Sequence, residues 1–194
     1  MARHGYKLAC PALVAGFVLS GTAQADEHVI LSARIASLTA GLFCAPEDGD
    51  RRAAPDTMAG WIHVPDAPVA MVAEGQVAPA LIGLGFGVRY TLRDGGDAFV
   101  RYTVTHPPMP PTGITTQSWE SFVASGSIDT TFFQFDVEDE LQPGDWGFAA
   151  SIDGTEIFNV GFTVRPAAEL PGLLGLCQGG ALLSLNQTDR AAAS

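Results

Sequence analysis

Four side chains that could contact a partner lie in two proline-rich stretches of this 194-residue chain. Trp61 and His63 stand in the first stretch, and His106 and Met109 stand in the second, which reads HPPMPPTG. An indole ring offers a large apolar contact, while imidazole and thioether groups accept hydrogen bonds or bind metals. We expect both stretches to be loops at one end of the fold, which predicts a binding surface there. For Trp61 and Trp119 we favour core packing over a role in binding, because aromatic rings dominate protein cores.

Catalysis is not predicted by any pattern in the chain. A nucleophilic mechanism needs a nucleophile, a base and an orienting group within hydrogen-bond reach. Neither the G-x-S-x-G nor the H-E-x-x-H pattern occurs, and each of these patterns carries a known mechanism. We therefore predict that the protein is not an enzyme. A hydrolase is the less favoured alternative, because two of the 21 acidic residues could converge as paired carboxylates.

The first 25 residues have the pattern of a secretory signal peptide. An apolar stretch, Leu8–Leu19, follows two basic residues and leads into an A-x-A cleavage site that ends at Ala25. This stretch is too short to span a bilayer comfortably. We expect a mature chain that starts at Asp26, without a membrane anchor, in the periplasm or secreted. A lipoprotein is the alternative, but Cys10 precedes the apolar stretch instead of following it.

The charge of the chain is strongly negative. Ten basic and 21 acidic residues give −11, and loss of the signal leaves 8 basic residues and −13. An acidic surface repels phosphate backbones and anionic lipids, which argues against nucleic acid and membrane surfaces as partners. We predict a protein or another component of the envelope as the partner and leave the oligomeric state open. Simple solubility is the favoured explanation of the charge, and a cationic partner is the alternative.

Two segments have the composition of metal sites. After signal cleavage, the free amine of Asp26, two main-chain amides and the His28 imidazole could hold Cu(II) or Ni(II) in a plane. Asp136, Glu138 and Glu140 have the spacing of one strand face, where carboxylates could bind Ca²⁺. We favour a frayed terminus for the first segment and a charge-blunted strand edge for the second. The sequence thus predicts no cofactor and no metal, with His28 as a weak candidate ligand.

Two cysteines remain after signal cleavage, Cys44 and Cys177. An even pair in an oxidising compartment predicts a disulfide that ties the C-terminal tail to the end of the first strand. By the chain-entropy model, a loop of this length stabilises the fold by about 4 to 5 kcal/mol. A redox or metal-binding pair is the alternative, although the C-x-x-C spacing is absent.

Alternating apolar residues predict β-strands across residues 33–166. The clearest are Ile82–Leu92 and the two arms of Pro143–Pro166, which Asp153-Gly154 joins in a tight hairpin turn. Two strands cannot bury an apolar face alone, so an opposing sheet must cover them. Seven or eight strands without an amphipathic helix predict an all-β, immunoglobulin-like antiparallel β-sandwich. Residues 26–32 and 167–194 are expected to form a flexible tail and a C-terminal tail.

Three local expectations follow from composition. The stretch HPPMPPTG should be an exposed loop, because proline cannot donate to a sheet. The alternating Gly83, Gly85 and Gly87 indicate close packing against the sheet, with close approach of a ligand as the alternative. Inward-facing side chains are expected at Phe133, Phe135 and Val137.

Six short segments, in order along the chain, together resemble one bacterial family, the domain of unknown function 3859. They are Phe43–Pro46, Gly60–Asp66, Leu84–Val88, Thr105–Met109, Gln117–Trp119 and Pro143–Phe148. The resemblance covers approximately Ile35–Val164 and implies a secreted β-domain. The family has no assigned activity, so no functional residue carries over.

These observations predict a non-catalytic, exported β-sandwich that acts as a binding or interaction module. A small metal- or ligand-binding periplasmic protein, including one that carries a metal on His63 and His106, is the alternative.

Overall fold

The structure is a computed structural model. It describes Met1 and residues 29–46, 48–93 and 95–177. The rest of the predicted signal peptide, the candidate ligand His28 and residues 178–194 lie outside the described residues. In the described part of the chain, no helix is long and apolar enough to cross a membrane.

Twelve strands and three short 3₁₀ turns make up the regular structure of the described residues. The strands are β1 (Val29–Leu31), β2 (Ile35–Cys44), β3 (Asp50–Ala53), β4 (Trp61–Val64), β5 (Met71–Glu74), β6 (Val77–Ala80), β7 (Leu84–Leu92), β8 (Ala98–Met109), β9 (Ile114–Val123), β10 (Ile128–Gln134), β11 (Gly144–Ile152) and β12 (Thr155–Pro166). The turns are Glu138–Glu140, Ala167–Glu169 and Pro171–Leu173. The sequence did not predict β1, β3 and β6, which have three or four residues each, too few for a clear alternation.

The strands form two sheets and one separate hairpin. The larger sheet has the order β1-β12-β11-β8-β9, with β6 parallel to β12, and the smaller sheet has the order β10-β7-β2-β5. The strands β3 and β4 pair with each other as a two-stranded sheet. Apart from β6 with β12, these pairings are antiparallel. The predicted all-β, immunoglobulin-like sandwich is confirmed, but with twelve strands in the described residues in place of the seven or eight expected and with one parallel pair.

Phe86 of β7 lies where the two sheets meet. Its ring centroid is 4.8 Å from that of Phe162 and 5.4 Å from that of Trp146, on the opposite sheet. All three side chains are buried, and the Trp146 indole N–H donates to the Gln142 carbonyl at 2.9 Å. A core of edge-on and tilted aromatic rings thus holds the sheets together.

The predicted closing hairpin is also confirmed. Ile152 pairs with Thr155 across the turn, where Asp153 and Gly154 have φ values of 49° and 75°. Two consecutive positive φ angles match the twist of the flanking strands, which explains the Asp-Gly pair.

The glycines of β7 permit close packing, as the sequence predicted. A Cβ atom added to Gly85 would lie 2.8 Å from Cδ2 of Phe132, and one added to Gly87 would collide with the Phe132 main chain. The Phe132 ring stacks on Phe43 with centroids 4.8 Å apart. The Phe132 side chain of β10 therefore packs on the surface that these glycines leave without side chains.

The expectation of an exposed loop at HPPMPPTG is wrong. β8 continues to Met109, which pairs with Ile114 of β9, and Met109 is fully buried. The pairing of β8 with β9 shifts register between Thr105 and Met109. Pro107 and Pro108 lie in this interval, where the extended chain does not require a main-chain N–H donor from them. Only the tip, with a cis bond between Pro110 and Pro111, turns the chain.

The acidic stretch after β10 differs from the strand edge that the sequence predicted. β10 ends at Gln134, and Glu138–Glu140 forms a 3₁₀ turn instead of a strand face. Val137 is exposed, not inward-facing, while Phe133 and Phe135 are buried as expected. The turn rotates Glu140 into the protein, where only 2% of its surface is exposed.

Two boundaries are also corrected. Within the segment expected to be a flexible tail, Val29–Leu31 forms β1 and pairs with Phe158–Val160 of β12. The strand expected at Ile82 begins at Leu84, because Gly83 has a φ of 80° and leaves Ile82 exposed.

The disulfide between Cys44 and Cys177 is confirmed. It joins the end of β2 to the described part of the C-terminal tail across 133 positions, with Cα atoms 5.3 Å apart. Near this bond, Leu173 and Leu176 pack against the core. The tail up to Cys177 is therefore part of the folded domain.

Candidate functional site

A cleft of about 520 Å³ lies between the β3–β4 hairpin and the sandwich edge formed by β9 and β10. We call it the hairpin cleft. Its walls include Trp61 and His63 from the hairpin, Trp119 from β9, and Phe132 and Gln134 from β10. The volume falls within the range of ligand sites in proteins. A second pocket, beside Arg34 and Phe99, has the same volume, so the aromatic side chains and the histidine of the hairpin cleft, and not its size, make it the candidate binding site.

The hairpin is tied to the sandwich along β9. Arg52 donates to the Glu120 carbonyl and, at 2.9 Å, to the Ser121 hydroxyl. After β3, the Asp56 carbonyl accepts the Ser118 N–H at 3.1 Å. These bonds fix one wall of the cleft and cover part of the β9 edge.

Trp61 and His63 lie together on β4, in a hairpin strand and not in the loop that the sequence analysis expected. Their rings meet edge to face with centroids 4.7 Å apart, and the Arg51 guanidinium lies 3.8 Å above the Trp61 ring. Both side chains are half-buried. Core packing of Trp61 is not seen, because its neighbours belong to the hairpin, whereas Trp119 does pack against the core.

His63 connects the hairpin to the end of β10. Its Nε2 is 3.3 Å from Oδ1 of Asp136 and 3.0 Å from Nε2 of Gln134, and Gln134 also donates to Asp136 at 2.6 Å. A histidine paired with a carboxylate is the arrangement of a general base with its orienting group. The hydrogen-bond partners of His63 among the described side chains are Asp136 and Gln134, and neither is a hydroxyl or thiol nucleophile.

His106 and Met109 are not on the surface that the sequence predicted. Their exposed fractions are 6% and 0%, and the His106 ring lies 4.9 Å from that of Trp146. Burial lowers the pKa of His106, which favours the neutral imidazole. Both residues contact the amide of Gln117, whose Oε1 accepts the Met58 N–H at 2.6 Å. They support the wall of the cleft from behind, so the prediction that they stand on an exposed loop is wrong.

Asp129 brings a carboxylate to the cleft that the sequence analysis missed. Its Oδ2 accepts the Tyr102 hydroxyl at 2.9 Å, and that hydroxyl lies 2.7 Å from the Tyr90 hydroxyl in the core. Burial raises the pKa of Asp129, partly offset by the hydrogen bonds it accepts. Phe133 and Thr131 point toward the core, and the same alternation places Asp129 on the inner face of β10. This pattern could have identified Asp129 from the sequence.

Glu140 is a second buried carboxylate on the cleft wall. It accepts the main-chain N–H groups of Asp136 at 2.7 Å and Val137 at 3.3 Å. Burial raises its pKa to about 7 despite these bonds, and the nearby Asp136 adds to the effect. The Oε1 atom of Gln134 is buried without a partner among the described residues. The inner end of the cleft therefore holds acidic and amide oxygens whose hydrogen-bonding capacity is incompletely used.

The acidic groups of the cleft were one candidate for a metal site. Within the described ranges, no group of three or more His, Cys, Asp or Glu side chains is arranged to hold an ion. This finding includes Asp136, Glu138 and Glu140. The candidate His28 lies outside the described residues.

β10 presents an open main-chain edge to the cleft. Phe135 donates its N–H to Leu84 and accepts from Gly83, both at 3.0 Å, so its polar groups face β7. Main-chain direction alternates along an antiparallel strand, and the register of β10 with β7 is uninterrupted. The residues whose main-chain groups point away from β7 are therefore Ile128, Thr130, Phe132 and Gln134.

Comparison with protein families decides the relationship of this chain. The sequence model of the family described as domain of unknown function (DUF3859) matches residues 31–164, more than half of the chain. The chain belongs to this family. The predicted resemblance is confirmed, and the DUF3859 match contains every residue that lines the hairpin cleft. The description of DUF3859 assigns no activity to the family.

This DUF3859 member was also compared with solved structures and with curated proteins. Among solved structures, the chain is similar to an immunoglobulin-like protein from Pseudomonas aeruginosa, with 19% identity and a TM-score of 0.44. The similarity covers 74% of this chain and 100% of the other. A comparison with curated proteins finds no match.

Proposed function

We propose that this DUF3859 protein is an exported, non-catalytic binding module whose contact site is the hairpin cleft. The proposal rests on the cleft itself. On one side of the cleft the hairpin is bonded to β9, and on the other side the main-chain edge of β10 is open. Trp61, Trp119 and Phe132 give the cleft apolar walls, and aromatic side chains of this kind dominate the energetics of binding sites.

Export is supported by the signal-peptide pattern and by the chemistry of the cysteines. A disulfide such as Cys44–Cys177 persists in the periplasm and outside the cell but is rare in the cytosol. The partner is then a protein or another component of the envelope. Isolation of the mature chain from the periplasmic fraction, with Asp26 as its first residue, is the expected result, and an uncleaved cytosolic chain would contradict it.

Position-specific photo-crosslinking in the native envelope tests the contact site. A photoreactive residue replacing the exposed Ile128, at the rim of the cleft, should give a crosslinked product with one partner identified by mass spectrometry. The control position is Ile30, which is exposed on β1 at the opposite edge of the larger sheet. The same product from both positions, or from Ile30 alone, would refute the cleft as the contact site.

A small organic ligand is the second candidate, because a cleft of about 520 Å³ also suits such molecules. In that case the Ile128 position captures no protein. Native mass spectrometry of the protein purified from its own envelope then shows an added mass that is lost in the Trp61→Ala variant.

A further inference from the structure

The unpaired edge of β10 differs from the other sheet edges among the described residues. β1 and β5 have only three and four residues, and β6 contains Pro79. The part of β2 that β5 does not cover is short and has a register shift between Ile35 and Ser37. The edge of β9 is partly covered by the hairpin through the bonds of Arg52 and Asp56. Short strands, prolines and covering segments are the usual devices that prevent a sheet edge from pairing with another chain.

β10 has none of these devices. It has seven residues, contains no proline, and is free of bulges in its register with β7. The side chains on its outer face are uncharged, and its one charged residue, Asp129, points inward to Tyr102. An open edge of this length is a template for strand addition.

The charges in the cleft indicate the chemistry of the added strand. Four carboxylates line the cleft, those of Asp66, Asp129, Asp136 and Glu140, against one guanidinium and one imidazole. That guanidinium, on Arg52, is already bonded to β9. A cation placed among the carboxylates would compensate negative charge that burial leaves poorly solvated.

We propose that the partner binds as an additional strand on the free edge of β10 and places a lysine or arginine side chain beside Asp136 and Glu140, at the end of that strand. This inference rests on the proposed function, since it specifies how the hairpin cleft is occupied. Main-chain hydrogen bonds supply affinity in this mode, and the basic side chain supplies specificity. The chain itself, with its excess of acidic residues, is complementary in charge to such a partner.

The probe for this proposal is a phage-displayed library of random peptides of a dozen residues, selected on the mature, disulfide-bonded protein. The selected peptides should contain a lysine or arginine within a stretch of β-branched or aromatic residues. Their binding should slow amide hydrogen exchange at Thr130 and Phe132. The amides of Thr131 and Phe133, which already face β7, are the internal control.

N-methylation of the selected peptide tests the strand geometry without altering the protein. Only alternate peptide amides face β10, so methylation at every second residue should weaken binding about tenfold, while the intervening positions tolerate it. Equal sensitivity at all positions, or protection outside β10, would show that the peptide does not add as a strand. Failure to select any peptide would also overturn the proposal.

The charge component is tested by Asp136→Asn, which retains an oxygen acceptor for Gln134. The variant should weaken binding of the selected peptide several-fold, and replacing the peptide's basic residue with glutamine should then cost nothing further. Independent losses from the two changes would show that the basic side chain lies elsewhere. The crosslinking result at Ile128 is separate from these outcomes, so the strand mode can fail while the cleft remains the contact site.

Discussion

Glu140 shows how a carboxylate that the sequence assigned to a charged surface can become part of the interior. Its side chain closes the segment after β10 by accepting two main-chain N–H groups, from Asp136 and Val137. The cost of this arrangement is desolvation of the charge, which raises the pKa from 4.5 to about 7. The residue is therefore a buried acid on the cleft wall and not part of the charged strand edge that the sequence predicted.

The pKa of Glu140 predicts a pH dependence of stability. An acid whose pKa is raised on folding binds its proton more tightly in the folded state, so stability is highest below pH 4.5 and falls as the pH rises to about 7. The expected loss is about 3 kcal/mol. Urea unfolding across this pH range should show that loss in the wild type and not in Glu140→Gln, whose amide oxygen can still accept the Asp136 N–H. Parallel pH profiles for the two proteins would contradict the prediction.

His63 and His106 show why residue type alone did not define the site. The sequence placed both in proline-rich loops, but one lies on a half-buried hairpin strand and the other in the interior of β8. Burial leaves His106 neutral and removes it from direct contact with a partner. Only the pair of Trp61 and His63 from the predicted surface lines the cleft.

At the scale of elements, the packing of β10 on β7 depends on glycine. Phe132 lies over Gly85 and Gly87 and stacks on the fully buried Phe43. This contact positions the edge strand that forms the cleft. A side chain on β7 would therefore displace β10 and change the cleft.

Gly87→Ala tests this dependence. The added Cβ would collide with the main chain of Thr131 and Phe132, and main-chain atoms cannot move aside as a flexible side chain can. We expect a loss of about 1 to 3 kcal/mol in the free energy of unfolding, measured by urea denaturation. Gly172→Ala is the matched control, because nothing lies within 4 Å of its added Cβ. An equal effect of the two substitutions would refute the packing role of Gly87.

For the whole molecule, the Cys44–Cys177 bond links the end of β2 to the C-terminal part of the described chain. It closes a loop of 133 positions that contains ten of the twelve described strands, all except β1 and β2. The bond therefore restricts most of the unfolded chain and lowers its conformational entropy.

Loss of the disulfide should destabilise the protein by about 4 to 5 kcal/mol, because the unfolded chain regains the entropy of the open loop. The measurement compares unfolding free energies of the wild type and the Cys44→Ser/Cys177→Ser double variant, both without reductant. Adding reductant should lower the wild type to the level of the variant and leave the variant unchanged. A wild type that is insensitive to reductant would contradict this role.

The sequence by itself determined the features that depend on neighbouring residues and on covalent chemistry. Alternation determined the strands β2, β7 and β8, the Asp153-Gly154 pair determined the closing hairpin, and the two cysteines determined the disulfide. The family was also recognisable from short motifs in order. These features were predictable because each arises from a period of two, a turn conformation or a residue count.

Only the tertiary structure decided which side chains line the cleft. His63 and Asp136 are in contact although they are 73 positions apart in the sequence. Arg52 and Ser121 are 69 positions apart and are also in contact. Such contacts depend on sheet order and on where a separate hairpin docks, and no local pattern encodes either. The open edge of β10 is decided in the same way, because a strand is an edge only when no other part of the chain pairs with it.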